Sequence, residues 1–177
     1  EVAGERVGED VGGEGKGVGG AVGPGAAATV AREQGMEDKI KKEFPGIEIA
    51  DKRYGMADFA KSLAVAENML TAHPDAAGMF ASNESSAVGG AQAVKTRKSN
   101  IKMVGFDWSP TLLDDLRGGV IDSLVAQHPF KMGYESVLAA VKKFSGQPVE
   151  QINNLAPRLL TKENLDTPEG QEQINPE

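Results

Sequence analysis

Three apolar runs in the middle of the chain each end in one polar residue: Asn83 after GMFAS, Asp107 after KMVGF and Gln127 after SLVA. An amide both donates and accepts hydrogen bonds, and a carboxylate accepts two hydroxyl donors at once. Three such groups converging at one sheet edge suit a neutral, polyhydroxylated ligand. None is a nucleophile, and no histidine is spaced to activate one, so the set reads as binding chemistry. Arg32, at the start of the first clear helical stretch, follows the small residues GPGAAATV. A cation in a first helical turn opposes the helix dipole, so its placement asks for a reason. Its guanidinium fork can bond ring and hydroxyl oxygens.

Each residue also has a plainer role. Asn83 can cap the helix that follows it. Asp107 is harder to assign to capping, because Ser109 and Pro110 already supply a cap and a first helical residue. Gln127 precedes His128 and Pro129, which leaves it free to point elsewhere. Arg32 can pair on the surface with Glu33 or Glu37. Trp108, the sole tryptophan, can stack on a ligand's apolar face, although packing is the commoner role. His73 and His128 lack metal-ligand spacing and read as helix-end residues. The run GGEGKGVGGAVGPG lacks the GK[ST] ending of a phosphate loop.

The elements that must carry these residues are punctuated by prolines at 45, 74, 110 and 129, at gaps between periodic segments. Met36, Ile40 and Phe44 recur every four residues, marking a helix over 29–44. GIEIAD alternates like a short strand. From Ala57 to His73 the set Leu63, Ala66, Met69 and Leu70 is again helical. AGMFAS, IKMVGF and SLVAQ read as strands, with SSAVGGAQAVKTR and SPTLLDDL as helices between them. The last long helix, HPFKMGYESVLAAVKKF, carries Phe130, Tyr134, Val137, Val141 and Phe144 on one stripe. Alternating helices and strands predict an α/β fold, with a doubly wound, mostly parallel sheet and helices on both faces. Mostly apolar strands agree with a sheet covered on both sides.

Composition bounds the rest. A chain of 177 residues suits one domain or two small ones. It has no cysteine, which removes thiol catalysis and disulfides but leaves the compartment open. No run of 18 apolar residues marks a membrane span. The start does not read as a signal peptide, which a mature or truncated chain would have lost. The formal charge of −7 argues against nucleic acid, but it belongs to the ends. Residues 26–147 hold fifteen acids and fifteen bases. Ten of the 22 glycines lie in the first 25 residues, which therefore read as a weakly ordered leader. The acidic tail TPEGQEQINPE reads as an exposed end.

From about residue 12 onward the order and spacing of REQGMEDKIKKEFPGIEI, AENMLTAHPDAAGMFASNESSAVGGAQAVK, IKMVGFDWSP, IDSLVAQHPFKMGYESV and LLTKENLDTPE resemble sugar-type periplasmic binding proteins of ABC importers, the ribose-binding class. The resemblance implies two lobes closing on one sugar, in a protein about twice this length. This chain would be the later half, periplasmic or extracytoplasmic, non-catalytic, and without metal or cofactor. Arg32, Asn83, Asp107 and Gln127 match family positions that hydrogen-bond the sugar. A family aromatic near the start of the second helix has no clear match: Ala57 lies near that position, with Tyr54 and Phe59 as neighbours. Where the family has a firm first strand, this chain offers GKGVGGAVG.

The implied organisation is a Gly-rich leader with an atypical first element (1–28), a ligand-binding lobe (29–127), a helical segment (128–158) and a return segment with acidic tail (159–177). In the family the chain crosses between lobes after the match to Gln127. The stripe Phe130, Tyr134, Val137, Val141, Phe144 would therefore seat on a first lobe, or on a second chain. Partners implied are a small sugar and the importer's membrane subunits. An alternative is the effector domain of a lac-repressor-type regulator, which shares the fold. An enzyme would lack both a nucleophile–base pair and a phosphate loop.

Overall fold

The computed structural model describes residues 1–23, 25 and 27–175. Pro24 and Ala26, within the small-residue stretch before Arg32, and Pro176 and Glu177 of the tail lie outside them. In chain order the elements are α1 (Val2–Asp10), β1 (Glu14–Ala21), α2 (Ala27–Glu43), β2 (Gly46–Tyr54), α3 (Phe59–Ala72), β3 (Ala76–Ala81) and α4 (Glu84–Arg97). They continue with β4 (Lys102–Phe106), α5 (Pro110–Arg117), β5 (Ser123–Ala126), α6 (Pro129–Phe144), β6 (Arg158–Thr161) and α7 (Pro168–Ile174). One six-stranded sheet runs in the order β2-β1-β3-β4-β5-β6. All neighbours pair in parallel except β5 and β6, which are antiparallel.

Both faces of the sheet are covered, which explains the strands' apolar character. On β3, β4 and β5, Met79, Met103 and Leu124 face one layer, with Met69, Leu70, Ala91, Leu112 and Leu116 of α3, α4 and α5. Their neighbours Phe80, Val104 and Val125 face the other, with Ala3, Val7, Met36 and Ile40 of α1 and α2. Successive residues of a strand point to opposite faces, so two covered faces demand apolar residues in unbroken runs. The doubly wound α/β class is thus the class observed.

Two readings of the ends are corrected. Residues 1–21 are not a weakly ordered leader: they form α1 and β1, and β1 lies inside the sheet between β2 and β3. The glycines there serve close approach. A Cβ on Gly4 would lie 2.6 Å from the Met36 carbonyl oxygen, and one on Gly8 2.4 Å from the Phe44 ring. These glycines let α1 settle onto α2, with Ala3 and Val7 as its buried side chains. The acidic tail is not a plain exposed end either. The Thr167 hydroxyl caps α7 by accepting from the Gly170 N–H, Pro168 opens the helix, and Gln173 and Ile174 are buried. The return segment supplies β6, the one antiparallel strand of the sheet.

α6 differs from every other helix. None of its residues is buried. Val137 is 66% exposed and Phe144 91%, and Phe130, Tyr134 and Val141 are each more than half exposed.

Candidate ligand site at the carboxyl edge of the sheet

In an open parallel sheet the loops after neighbouring strands part where the winding direction reverses, leaving a crevice at the carboxyl edge. Here β1 has β2 on one side and β3 on the other, so the reversal falls between β1 and β3. α2 follows β1 and α4 follows β3, so Arg32 and Asn83 flank that crevice. Asp107 follows β4 and Gln127 follows β5, further along the same edge.

Arg32, Asp107 and Gln127 come together. The Arg32 guanidinium donates to the Ser82 carbonyl at 3.0 Å, lies 3.5 Å from Asp107 Oδ2 and sits 4.0 Å from the centre of the Phe106 ring. Gln127 Nε2 donates to Asp107 Oδ1, while its own backbone carbonyl accepts from Gln173 Nε2 of α7. Asp107 has φ +71°, a left-handed conformation that Asp tolerates better than most residues. Its N–H still donates to the Val125 carbonyl. Ser109 caps α5 and Pro110 opens it, so Asp107 has no capping duty.

Asn83 stands apart from that trio. It is the N-cap of α4, its Oδ1 accepting from the Ser86 N–H at 3.2 Å and its Nδ2 donating to the Ser85 hydroxyl at 2.8 Å. Arg32 is the sixth residue of α2, in the second turn, so the opposition to the helix dipole is weaker than its sequence position suggests. The surface pairing with Glu33 or Glu37 is not what its side chain makes.

Trp108 packs partly against the core and also lines a hollow of about 380 Å³ with Asp107, Gln127, Pro129 and Met132. A larger hollow, about 630 Å³, lies between α6 and α7 with Phe130 and Tyr134 in its wall. It exists because α6 stands off from the rest of the fold, and it holds none of the four site residues. Tyr54, which ends β2, and Met56 and Phe59 beyond it are exposed at the same carboxyl edge. His128 caps α6, accepting from the Lys131 N–H, and His73 ends α3 with Nε2 3.3 Å from Asp51. Among the described residues no group of three or more His, Asp or Glu could hold a metal ion. No helix among them is long and apolar enough to cross a membrane.

Sequence reasoning missed Ser82, Phe106 and Gln173. Ser82 had a usable signal, a small polar residue between an apolar strand and a helix cap. Gln173 had none while the tail was read as solvated.

The chain is similar to known proteins over most of its length. The ribose import binding protein of Escherichia coli (strain K12) is 30% identical over 139 residues, which are 78% of this chain and 47% of that protein. The D-apiose import binding protein of Paraburkholderia graminis is 30% identical over 75% of this chain and 43% of that protein. The chain therefore spans less than half the length of these curated relatives. Among solved structures, an ABC transporter solute-binding protein from Agrobacterium vitis bound with α-D-tagatopyranose matches with TM-score 0.93 and 29% identity, over 97% of this chain and 58% of that one. A carbohydrate transporter solute-binding protein from Agrobacterium radiobacter, in complex with D-arabinose, matches with TM-score 0.93 and 30% identity, over 98% and 61%. The family described as periplasmic binding protein domain matches residues 1–148. With that family model matching residues 1–148 and solved structures superposing on nearly the whole chain, the chain belongs to the periplasmic binding protein domain family.

Proposed function

We propose that this chain is one lobe of a solute-binding protein serving an ABC importer, and that it binds a monosaccharide or similar polyol without chemical change. The ligand-binding residues are Arg32, Asn83, Asp107 and Gln127, and the protein works in the periplasm or an equivalent extracytoplasmic space. The observation that carries this reading is the Asp107 carboxylate, held at φ +71° at the end of β4, between Arg32 and Gln127. A carboxylate has about four lone-pair sites, so one contact to each neighbour leaves capacity for sugar hydroxyls. A fixed cation, a carboxylate and two amides match the donor and acceptor faces of a polyol. Phe59, opening α3 and 47% exposed, supplies an aromatic face for the ligand's C–H surface.

The apolar stripe of α6 belongs to the same proposal. Phe130, Tyr134, Val137, Val141 and Phe144 seat on the counterpart lobe, so that the ligand is enclosed between two walls and released by their opening. Burying such side chains contributes about 1.5–3 kcal/mol each.

The test is a thermal-shift panel on the complete protein with ribose, arabinose, allose, tagatose and fucose. One sugar is expected to raise Tm by mass action, and Asp107→Ala to remove the rise. A panel with no shift rejects the importer reading.

A further inference from the structure

Glu33 is 4% exposed, the most buried carboxylate among the described residues. A buried charge costs free energy unless its bonding is complete, and an apolar residue of similar volume usually costs less. Its carboxylate has one short hydrogen bond and one longer ion pair. Glu33 Oε1 accepts from the Ser82 hydroxyl at 2.9 Å, and Oε2 lies 4.0 Å from Lys52 Nζ. Lys52 in turn donates to Glu37 Oε1 at 2.6 Å, and that hydrogen bond holds its ammonium above the usual lysine range.

Ser82 is fully buried and uses all three of its polar groups. Its N–H donates to the Gly20 carbonyl at 3.0 Å, its carbonyl accepts from Arg32 at 3.0 Å, and its hydroxyl donates to Glu33. Adjacent residues of α2 thus hold two ends of one serine. That serine is bonded directly to Asn83. The hydrogen bond to an ionised acceptor is stronger than one to a neutral group, so Ser82 has little freedom to turn.

We infer that Glu33 is a positioning residue for the ligand site: by fixing Ser82 it sets the spacing between the Arg32 guanidinium and the Asn83 side chain. The inference rests on the sugar-binding reading above. Glu33 touches no ligand and acts only through Ser82.

The experiment compares Glu33→Ala, Glu33→Gln, Ser82→Ala and the double variant Glu33→Ala/Ser82→Ala in the complete protein, with Arg32→Ala as a control. Calorimetric titration uses the sugar that gave the thermal shift, beside urea unfolding and NMR signals of the Asn83 amide and Arg32 Nε–H. Glu33→Ala is expected to raise Kd about tenfold or more, and Glu33→Gln, which keeps an acceptor, to stay within about threefold. Adding Glu33→Ala to Ser82→Ala should cost little more than Ser82→Ala alone. An unchanged Kd with a lowered urea midpoint makes Glu33 merely structural and overturns the inference. So does equal loss in the alanine and glutamine variants. If Glu33→Ala does not fold, Ser82→Ala removes the same bond and carries the same expectation. A wild type that binds sugar with Arg32→Ala unaffected defeats the site reading instead. If no sugar binds, the NMR signals decide: they must change in Glu33→Ala and return in Glu33→Gln, and unchanged signals refute the positioning role.

Discussion

Asp107→Asn separates the charge at the site from the backbone that carries it. Asparagine also tolerates a φ of +71°, whereas alanine there costs about 1–2 kcal/mol. The amide still offers Oδ1 to Gln127, so that hydrogen bond survives. What is lost is the attraction to Arg32 at 3.5 Å, in a pair whose side chains are 17% and 27% exposed. Solvent screens such a pair, so its loss costs at most about 1 kcal/mol of stability. The ligand loses more. Hydrogen bonds to charged acceptors contribute about 1.5–3 kcal/mol against about 0.5–1.5 for neutral ones. Two sugar hydroxyls therefore lose roughly 2–3 kcal/mol together, or about 30- to 150-fold in Kd. With sugar at about 1,000 times the wild-type Kd, binding adds about 4 kcal/mol to stability, and a hundredfold weakening leaves about 1.4. In a complete protein of some 300 residues the ligand-induced rise in Tm falls by roughly 4 °C. The assay is thermal unfolding with and without sugar. If Asp107→Asn keeps the full rise while Asp107→Ala loses it, Asp107 serves the backbone and the binding argument is wrong. Asp107→Gly is the converse case, at ease in the backbone and expected to lose the ligand response.

Gly4→Ala should destabilise by about 1–3 kcal/mol in urea unfolding although alanine favours helix, because its Cβ meets the Met36 carbonyl at 2.6 Å; a gain would refute the packing of α1 on α2. Val137→Asp should cost about 2–3 kcal/mol in the complete protein, where α6 is proposed to be covered; an unshifted urea midpoint would leave the stripe uncovered. For Asp10, burial pushes the carboxyl above its ordinary value of 3.8, Arg6 pulls it back and the Asp122 charge adds to the rise. A raised folded pKa means that the favourable contribution is complete below 3.8 and is lost as pH rises through the folded value. Asp10→Asn should therefore gain stability over wild type between about pH 3.5 and pH 7, measured as urea midpoints at both. A flat or falling difference contradicts the burial effect.

The middle of the fold was legible because its side chains carry the signal. Met36, Ile40 and Phe44 mark the face of α2, and prolines 74, 110 and 129 mark ends or starts that the structure places at the same points. The amino-terminal stretch failed for a physical reason. In α1 the contact face is written partly in Gly4 and Gly8, which carry no apolar side chain to count yet pack because they carry none. β1 suffers likewise: EGKGVGGA has little β propensity, and its place in the sheet comes from pairing on both sides. The tail was a different failure. Thr167 and Pro168 are a cap and a first helical residue, the same device read correctly at Ser109 and Pro110. Acidic composition outweighed it. At the proposed site, strand ends pointed to Asn83, Asp107 and Gln127, but not to the contact by which Ser82 ties Asn83 to Arg32. That link depends on where α2 crosses the β3–α4 turn, a tertiary fact with no local spacing.

The bonding among the proposed site residues bears on how two lobes would divide the work. Arg32 is held by Ser82, Phe106 and Asp107, and Gln127 by Asp107 and Gln173, all through contacts within this chain. Groups already ordered lose little conformational freedom on binding, so under the proposed function this lobe would offer a preformed half-site. The same bonds occupy part of its capacity, however, and its face is open to water, where each sugar hydroxyl is already satisfied. Exchanging water for these groups gains little until the water is removed. A second wall provides that removal, and the uncovered stripe of α6 is where such a wall would attach. Preorganisation here and enclosure from the counterpart are complementary, so the isolated lobe should bind sugar far more weakly than the closed pair. A titration of the lobe alone that matched the affinity of the complete protein would show that the second wall is dispensable and would break this division of roles.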